Sequence, residues 1–504
     1  MNNRIENNKR IAKNTAMLYM RMLLSMAVSF YTSRIVLNIL GVDDFGIYNL
    51  VGGIVVLFSF LNNAMASSTQ RFLNFELGRE NLDEVKRIFS MSLTTHLSIA
   101  FVVLVLSETV GLWLLNAHMN LPADRMNAAN WVYQLSVLSC CIQIMRIPYQ
   151  SSIIAYERMS FYAYISIVEV LLKLLIVIFL FFGDFDKLIY YSILSTVVVT
   201  LVSYIYKIYC IKAFSTCSYS FFWDIKLYRM LVGFSGWNLF GSVANVGVQQ
   251  GGNILLNIFY GVTVNAAVGV ANQASMAIYG FVSNFQIAFN PSIIKSYAIG
   301  DRDYFMDLIF KASKYSYFLL FMLSLPILIC CGFVMEVWLG IVPSYTVSFC
   351  RLMLLFMLVD SAAAPLWTSV QATGKIRNYQ IMIGCLVLTN LPLAYTALCL
   401  GMSPVCVFVI RLLVNIIVFT VRLIYLGFKI DLPILKYTIQ VLMKILFVTI
   451  LSVPLPWVVN YYYHGWLGLI LTSLIAFLCT SLSVWFVGLK QGERKALVRT
   501  ILRK

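Results

Sequence analysis

Ten charged side chains lie in stretches otherwise too apolar to carry charge: Arg21, Arg34, Arg146, Lys173, Arg351, Arg411 and Lys444, with Glu108, Glu169 and Asp360. Burying such a group in a bilayer costs a few kcal/mol, so each needs a partner or a task. Cations prevail over acids by about two to one, and a cavity lined this way suits a phosphate or pyrophosphate, which arginine grips through two parallel hydrogen bonds. A cavity for organic cations should instead be acidic. The three acids are candidate proton or cation sites. Pairing with a cation is the plain structural alternative, and Glu169 and Lys173, spaced i, i+4, can neutralise each other. Arg34 lies two turns from the outer end of its stretch, where it can equally snorkel to head groups. Arg21, Arg351, Arg411 and Lys444 share that ambiguity. Arg146, just before Ile147-Pro148, lies deeper.

Other chemistry finds little support. No G-x-x-x-x-G-K-[ST] motif occurs, so the chain is not expected to hydrolyse ATP. The 11 cysteines show no metal-ligand spacing, and only three histidines are present. Cys140-Cys141 and Cys330-Cys331 fall in apolar runs, where a thiol behaves as a small hydrophobe. Neither catalytic residues nor a metal nor a cofactor is expected, and the chain reads as a non-enzyme.

The elements that must position these charges are membrane helices. The chain has 504 residues, 61% hydrophobic and 12% charged, where a soluble chain carries about 25% charge. Apolar runs recur that are long enough to cross a hydrocarbon core of about 30 Å. They predict an all-α polytopic membrane protein with about fourteen helices, their ends blurred by a few residues. The spans fall near 15–40, 46–68, 89–116, 128–155, 160–182, 187–212, 229–258, 264–289, 314–334, 347–370, 378–400, 404–427, 437–459 and 465–488. No polar block of domain size remains for a catalytic domain. The first run is too long for a cleaved signal and reads as a retained helix.

The formal net charge of +16 occupies alternate loops, which is a topology signal and no nucleic-acid patch. Lys9, Arg10 and Lys13 precede the first span, Arg71, Arg79, Lys86 and Arg87 follow the second, and Arg158 follows the fourth. Lys207, Lys212 and Lys226 surround the middle linker, Lys295, Arg302 and Lys311 follow the eighth span, and Lys490 to Lys504 form a basic tail. The opposite loops offer only Arg125 and Lys187. Both termini are therefore expected in the cytoplasm.

A weak repeat divides the chain. Leu37-Asn38-Ile39 aligns with Leu256-Asn257-Ile258, and Gly41-Val42 with Gly261-Val262. This predicts two pseudo-symmetric six-helix lobes, 1–213 and 229–427, joined by a linker at 214–228, with two extra helices and the tail in 428–504. Parallel repeats place substrate between the halves. Asn272, Ser275, Tyr279, Ser283, Gln286 and Asn290 share one helical face, and its counterpart in the first lobe includes Ser59, Asn63 and Gln70. Asn238, Ser242, Asn245, Gln249 and Asn253 form another face, interrupted by glycines from Gly233 to Gly252. Tight packing through amide hydrogen bonds and a flexing cavity wall both fit this pattern.

The architecture, with "RIVLNILGVDDFGIYNL" at Arg34–Leu50, resembles the Wzx-type polysaccharide (O-antigen) flippases, the polysaccharide transporter branch of the MOP superfamily that also holds MATE exporters and MurJ. At Asn38 the chain departs from the family pattern, which often has arginine there. The resemblance implies a flippase that carries undecaprenyl-diphosphate-linked oligosaccharide, an O-antigen, capsule or related repeat, from the cytoplasmic to the outer leaflet of the bacterial inner membrane by alternating access. It also implies partners: the lipid-linked oligosaccharide, the bilayer, a polysaccharide polymerase and a chain-length regulator. The cavity candidates are then Arg34, Arg146, Lys173, Arg411, Asn238, Asn245, Gln249, Asn272 and Asn63. Glu108, Glu169 and Asp360 are the ion-coupling candidates. A MATE-type cation-coupled multidrug antiporter is the alternative.

Overall fold

The computed structural model describes residues 14–25, 28, 32, 35–36, 39–40, 44, 47–48, 59–118, 123–180, 186–260, 262–340 and 342–494. These form helices throughout, with no strand among the described residues. We label them α1 (Ser59–Gly78), α2 (Leu82–Gly111), α3 (Met126–Ala155), α4 (Met159–Phe179), α5 (Lys187–Ala213), α6 (Ile225–Tyr260) and α7 (Val262–Ile299). Next come α8 (Arg302–Ile329), α9 (Cys331–Leu339), α10 (Thr346–Thr373), α11 (Arg377–Cys399), α12 (Val405–Ile430), α13 (Ile434–Tyr462) and α14 (Gly465–Gly488). Nine of them, α2, α4, α5, α8 and α10–α14, are long and apolar enough among the described residues to cross a membrane. Helices α1, α3, α6 and α7 have the length but are more polar. The all-α polytopic architecture expected from the apolar runs is what the coordinates show.

Several boundaries differ from the apolar pattern: α2 begins seven residues before 89, α7 runs ten residues past 289 and α8 begins twelve residues before 314. Helix α1 continues to Gly78, well past the apolar run, because its last turns are amphipathic and still bury Phe72 and Leu73. The run expected at 314–334 is broken at Cys330, four residues after Pro326, and restarts as the short helix α9.

The chain forms two compact units, Met1–Ser242 with Ile294–Gly300, and Val243–Ile293 with Asp301–Lys504. Helix α6 passes from the first unit into the second, and α7 ends in the first. The linker 214–228 belongs to the first unit, and α13–α14 belong to the second. In the first unit α3 packs against α1, α2, α4 and α5, and its buried Val132, Tyr133, Val137, Cys140 and Ile144 form the core. In the second, α10 packs against α8 and α12, and α14 packs on α8.

The two units share local devices. Before α2, Glu80 is left-handed (φ +58°) and Asn81 caps the helix, accepting from the Glu84 amide at 3.2 Å. Before α8, Gly300 is left-handed (φ +81°) and Asp301 accepts from the Tyr304 amide at 3.1 Å. Their separation equals that between Gly41 and Gly261. A second pair is clearer in sequence: "PYQSSIIAYER" from Pro148 in α3 matches "PLWTSVQATGK" from Pro365 in α10, and both end in a left-handed residue, Glu157 and Gly374.

Pro365 has no N–H to donate to the carbonyl four residues back. Neighbouring helices satisfy the loosened turn. Gln286 Nε2 of α7 donates to the Ser361 carbonyl (3.2 Å), Arg422 Nη1 of α12 to that of Ala363 (3.0 Å), and the Tyr437 hydroxyl of α13 to that of Ala362 (3.5 Å).

Candidate functional site

The second unit contains a small, partly open pocket between α6, α7, α10, α11 and α12. Three of the expected cavity residues meet there: Gln249 of α6, Asn272 of α7 and Arg411 of α12. Its apolar wall, Leu256, Val268, Met353 and Phe408, belongs to the unit's hydrophobic core. Gly251 gives α6 its close approach to α11. A Cβ at Gly251 would meet the Leu391 side chain at 2.6 Å, whereas one at Gly252 would touch only Val407, at 3.8 Å. The Arg411 guanidinium lies over the Phe356 ring, 4.6 Å from its centre, and Asp360 acts on its charge. Among the described residues no group hydrogen-bonds to it.

Asn253 and Asn390 complete the polar lining. Asn253 stands on the same α6 face as Gln249 and donates to Gln250 Oε1. Asn390 was not among the expected residues. Helix α11 breaks at Thr389, between the segments Arg377–Leu388 and Asn390–Cys399. Pro392 causes this, since it cannot donate to the carbonyl of Leu388 and its ring crowds the preceding turn. Asn390 Nδ2 donates to the Val387 carbonyl at 2.7 Å, which leaves Oδ1 as an acceptor without a partner, on a residue only 6% exposed. The signal in sequence was an asparagine two positions before a proline inside an apolar run.

The remaining candidates in this unit are dispersed. Asn245 is exposed on α6. Asp360 Oδ2 accepts from the Tyr279 hydroxyl at 3.0 Å, beside Gln286 and Arg422.

In the first unit, Arg146 and Lys173 share one acid. Glu169 lies 2.9 Å from Lys173 Nζ and 3.5 Å from an Arg146 nitrogen. The Arg146 guanidinium also faces the Tyr206 ring at 5.4 Å. Three helices, α3, α4 and α5, thus hold a cluster with two cations and one acid. Glu108 sits in a widened turn of α2, where Gln134 donates to it at 3.1 Å. Asn238 Nδ2 approaches Ser67 Oγ at 3.5 Å. Asn63 lies in α1, its side chain outside the described part of the structure. Arg34 falls outside the described residues. The first unit therefore groups Arg146, Lys173 and Glu169, and leaves Glu108 and Asn238 apart from them.

A second charged constellation in this unit joins three connections that the charge pattern assigns to the outside. Arg125, before α3, holds Asp44 through Nε (2.9 Å) and Nη2, and Asp186 through Nη1 (2.7 Å). Asp186 also caps α5, accepting from the amides of Leu188 (3.0 Å) and Ile189 (3.2 Å). Partial burial would raise the Asp186 carboxyl, but Arg125 and the two amides hold it below the usual carboxylate range. Asp44 belongs to the "LGVDDFG" motif, so one acid of that motif acts as a structural anchor. Among the described residues no group of three or more His, Cys, Asp or Glu is placed to hold a metal ion.

No family model and no curated protein matches the chain. Solved structures do. An outward-facing multidrug resistance MATE family transporter of the MOP superfamily superposes with a TM-score of 0.69 at 10% identity, covering 84% of this chain and 96% of that one. A MOP superfamily transporter from Pyrococcus furiosus, described as having a binding pocket of reversed polarity that suggests a different function, gives 0.70 at 10% identity, covering 85% and 97%. A MATE protein in the bent conformation gives 0.70 at 11% identity, covering 85% and 96%. The chain therefore has the fold of MATE-like MOP superfamily transporters.

Proposed function

We propose that the protein is a flippase that moves undecaprenyl-diphosphate-linked oligosaccharide, a surface polysaccharide repeat, from the cytoplasmic to the outer leaflet of the bacterial inner membrane. The observation that carries this reading is the polarity of the pocket in the second unit. Among the described residues its lining has one guanidinium and four amides and no carboxylate. A low-dielectric site built this way favours an anionic, hydroxyl-rich head and disfavours an organic cation. The transporter fold supports passage across the bilayer, and the polar faces of α6 and α7 support a hydrated route, since polar groups in a span face protein or water. Alternating access of two lobes, with both termini in the cytoplasm, follows from the same reading. The polymerase and chain-length regulator are its expected partners.

Pocket polarity is also the feature by which the Pyrococcus transporter is set apart, which supports using it as the discriminator. A MATE-type cation-coupled antiporter is the second reading. Its support is the likeness to a multidrug resistance transporter and the Asp360–Tyr279 pair inside the second unit.

Deleting the gene should trap undecaprenyl-linked repeats on the inner leaflet and remove surface glycan, both restored by the wild-type gene. A deletion strain with normal surface glycan and new drug sensitivity would reverse the order of the two readings.

A further inference from the structure

Where α8, α13 and the chain leaving α14 meet in the second unit, four cations stand around one acid: Lys314, Lys444, Lys490 and Arg494 around Glu493. The acid is spent inside the group. Glu493 accepts from Lys314 Nζ at 2.9 Å and from the Lys490 amide at 2.7 Å. Lys314 is 2% exposed and Glu493 9%. Burial would raise the Glu493 carboxyl, but Lys314 and the Lys490 amide hold it below the usual carboxylate range, so it stays ionised. Asp307 of α8 is taken by Lys311 at 2.6 Å. Lys444, Lys490 and Arg494 then have no carboxylate partner among the described residues. Arg494 Nη2 donates to the carbonyls of Phe486 and Leu489 and so closes the end of α14. The two lysines have donors to spare. Among the described residues Lys444 Nζ gives one hydrogen bond, to the Gly488 carbonyl (3.2 Å), and Lys490 Nζ one, to Gln440 Oε1 (2.8 Å), of the three that each ammonium carries.

Orientation of the chain does not require this arrangement. The positive-inside signal counts basic residues in loops and is satisfied when they stand apart in water. Here they converge at one end of a helix pair, where like charges repel. An anion lying among them relieves that repulsion. The surface around the lysines is apolar and exposed: Met443 and Phe447 next to Lys444 on α13, with Leu482 and Phe486 on the last turns of α14. A free phosphate has no use for that surface, whereas acyl chains do. Basic pockets between spans on the cytoplasmic side are suited to anionic lipid head groups.

We infer that Lys444 and Lys490 hold the phosphodiester of an anionic glycerophospholipid, whose acyl chains lie along α13 and α14. This end of the pair is the one that the charge pattern assigns to the cytoplasm, so the lipid belongs to that leaflet. The inference concerns a lipid of the surrounding bilayer and is independent of what the protein transports.

The test gives the full-length protein, in neutral detergent, equal amounts of phosphatidylglycerol and phosphatidylcholine and counts bound lipids by native mass spectrometry. Each basic side chain near an anionic surface contributes roughly fivefold in affinity, so phosphatidylglycerol should be retained at least about tenfold over phosphatidylcholine. Lys444→Gln combined with Lys490→Gln should cut that preference at least about fivefold. Lys375→Gln with Lys429→Gln removes the same charge from two exposed positions of the same unit and should leave the preference intact. Lys444→Arg with Lys490→Arg should preserve it too. Melting without added lipid checks folding, and the exposed Lys490→Gln alone stands in if the double glutamine variant does not fold. Equal retention of the two lipids by the wild type overturns the inference. So does a preference that folded Lys444 and Lys490 variants leave unchanged, or one that both glutamine pairs lose alike, which would reduce it to overall charge. Displacement of phosphatidylglycerol by inorganic phosphate, but not by chloride at equal ionic strength, would make this a site for a free anion. Displacement by an equimolar amount of undecaprenyl diphosphate would assign the lysines to a transported lipid. Either result also overturns the inference.

Discussion

Breaking the Arg125 clasp is the most direct perturbation of the first unit. Three connections meet at this side chain, and Arg125→Gln removes its charge and most of its donors at once. The guanidinium is 27% exposed, Asp44 18% and Asp186 31%. Fully exposed pairs contribute about 0.2–1 kcal/mol, whereas hydrogen bonds to charged groups in protected sites contribute about 1.5–3 kcal/mol. At one-fifth to one-third exposure, with two-point attachment to Asp44 and one short bond to Asp186, we expect a loss of about 2–3 kcal/mol. A double-mutant cycle isolates the pair. Arg125→Gln, Asp44→Asn and the double variant, unfolded reversibly in mixed micelles, should give a coupling energy of about 1.5 kcal/mol. The coupling should shrink in 1 M salt, where the Debye length is about 3 Å. Additive losses, with coupling below about 0.3 kcal/mol, would refute the reasoning and return Asp44 to the status of an unassigned motif residue.

Further outcomes follow from the same structure. Glu169→Gln leaves Arg146 and Lys173 facing each other across a half-buried site and should destabilise by about 2–3 kcal/mol, less than the 3–5 of a fully buried pair; a loss under about 0.5 kcal/mol in the same unfolding assay would deny the shared-acid arrangement. Gly111→Ala places a methyl 1.9 Å from the Tyr133 hydroxyl, which donates to the Ser107 carbonyl at 2.8 Å. It should cost about 1–3 kcal/mol by overpacking, and Tyr133→Phe in the same chain should recover part of that loss. Acid should loosen the clasp in a defined window. Because Arg125 and the α5 amides lower the folded-state pKa of Asp186 below 3.8, its contribution is complete above that value and is lost as pH falls through the lower folded one. The wild-type advantage over Asp186→Asn should therefore be constant when unfolding is measured from pH 7 to 5, and should fall away only as the pH drops below 3.8.

Much of the fold was legible because membrane spans are written in length and apolarity alone. The run at 465–488 coincides with α14, that at 187–212 differs from α5 by one residue, and that at 347–370 from α10 by one and three. What escaped were features that depend on a partner elsewhere in the chain. The α1 extension to Gly78 is amphipathic and carries no apolar run. The break at Cys330 lies within a continuous hydrophobic stretch and carries no signal in apolarity. At the site, Gln249, Asn272 and Arg411 stood out as polar groups on apolar faces, and they converge in one unit. Asn390 did not stand out, since its free acceptor exists only because Pro392 disrupts the helix around it. Local spacing pairs Glu169 with Lys173, its neighbour one turn on; Arg146 reaches it from another helix, which no local spacing reveals. The clearer repeat, Pro148–Arg158 with Pro365–Lys375, was equally present in the sequence, yet its meaning depends on the shared left-handed termini at Glu157 and Gly374.

The loosened turn ahead of Pro365 bears on how the chain is assembled during synthesis. A span normally enters lipid with its backbone already satisfied. Helix α10 emerges with one carbonyl, that of Ser361, deprived of its backbone donor by Pro365, and Gln286 of α7 supplies the missing hydrogen bond. Arg422 of α12 and Tyr437 of α13 only add second donors to the carbonyls of Ala363 and Ala362. Since α7 precedes α10 in the chain, the acceptor the proline exposes has its partner already synthesised when α10 leaves the ribosome, and the insertion of α10 should not depend on α12 or α13.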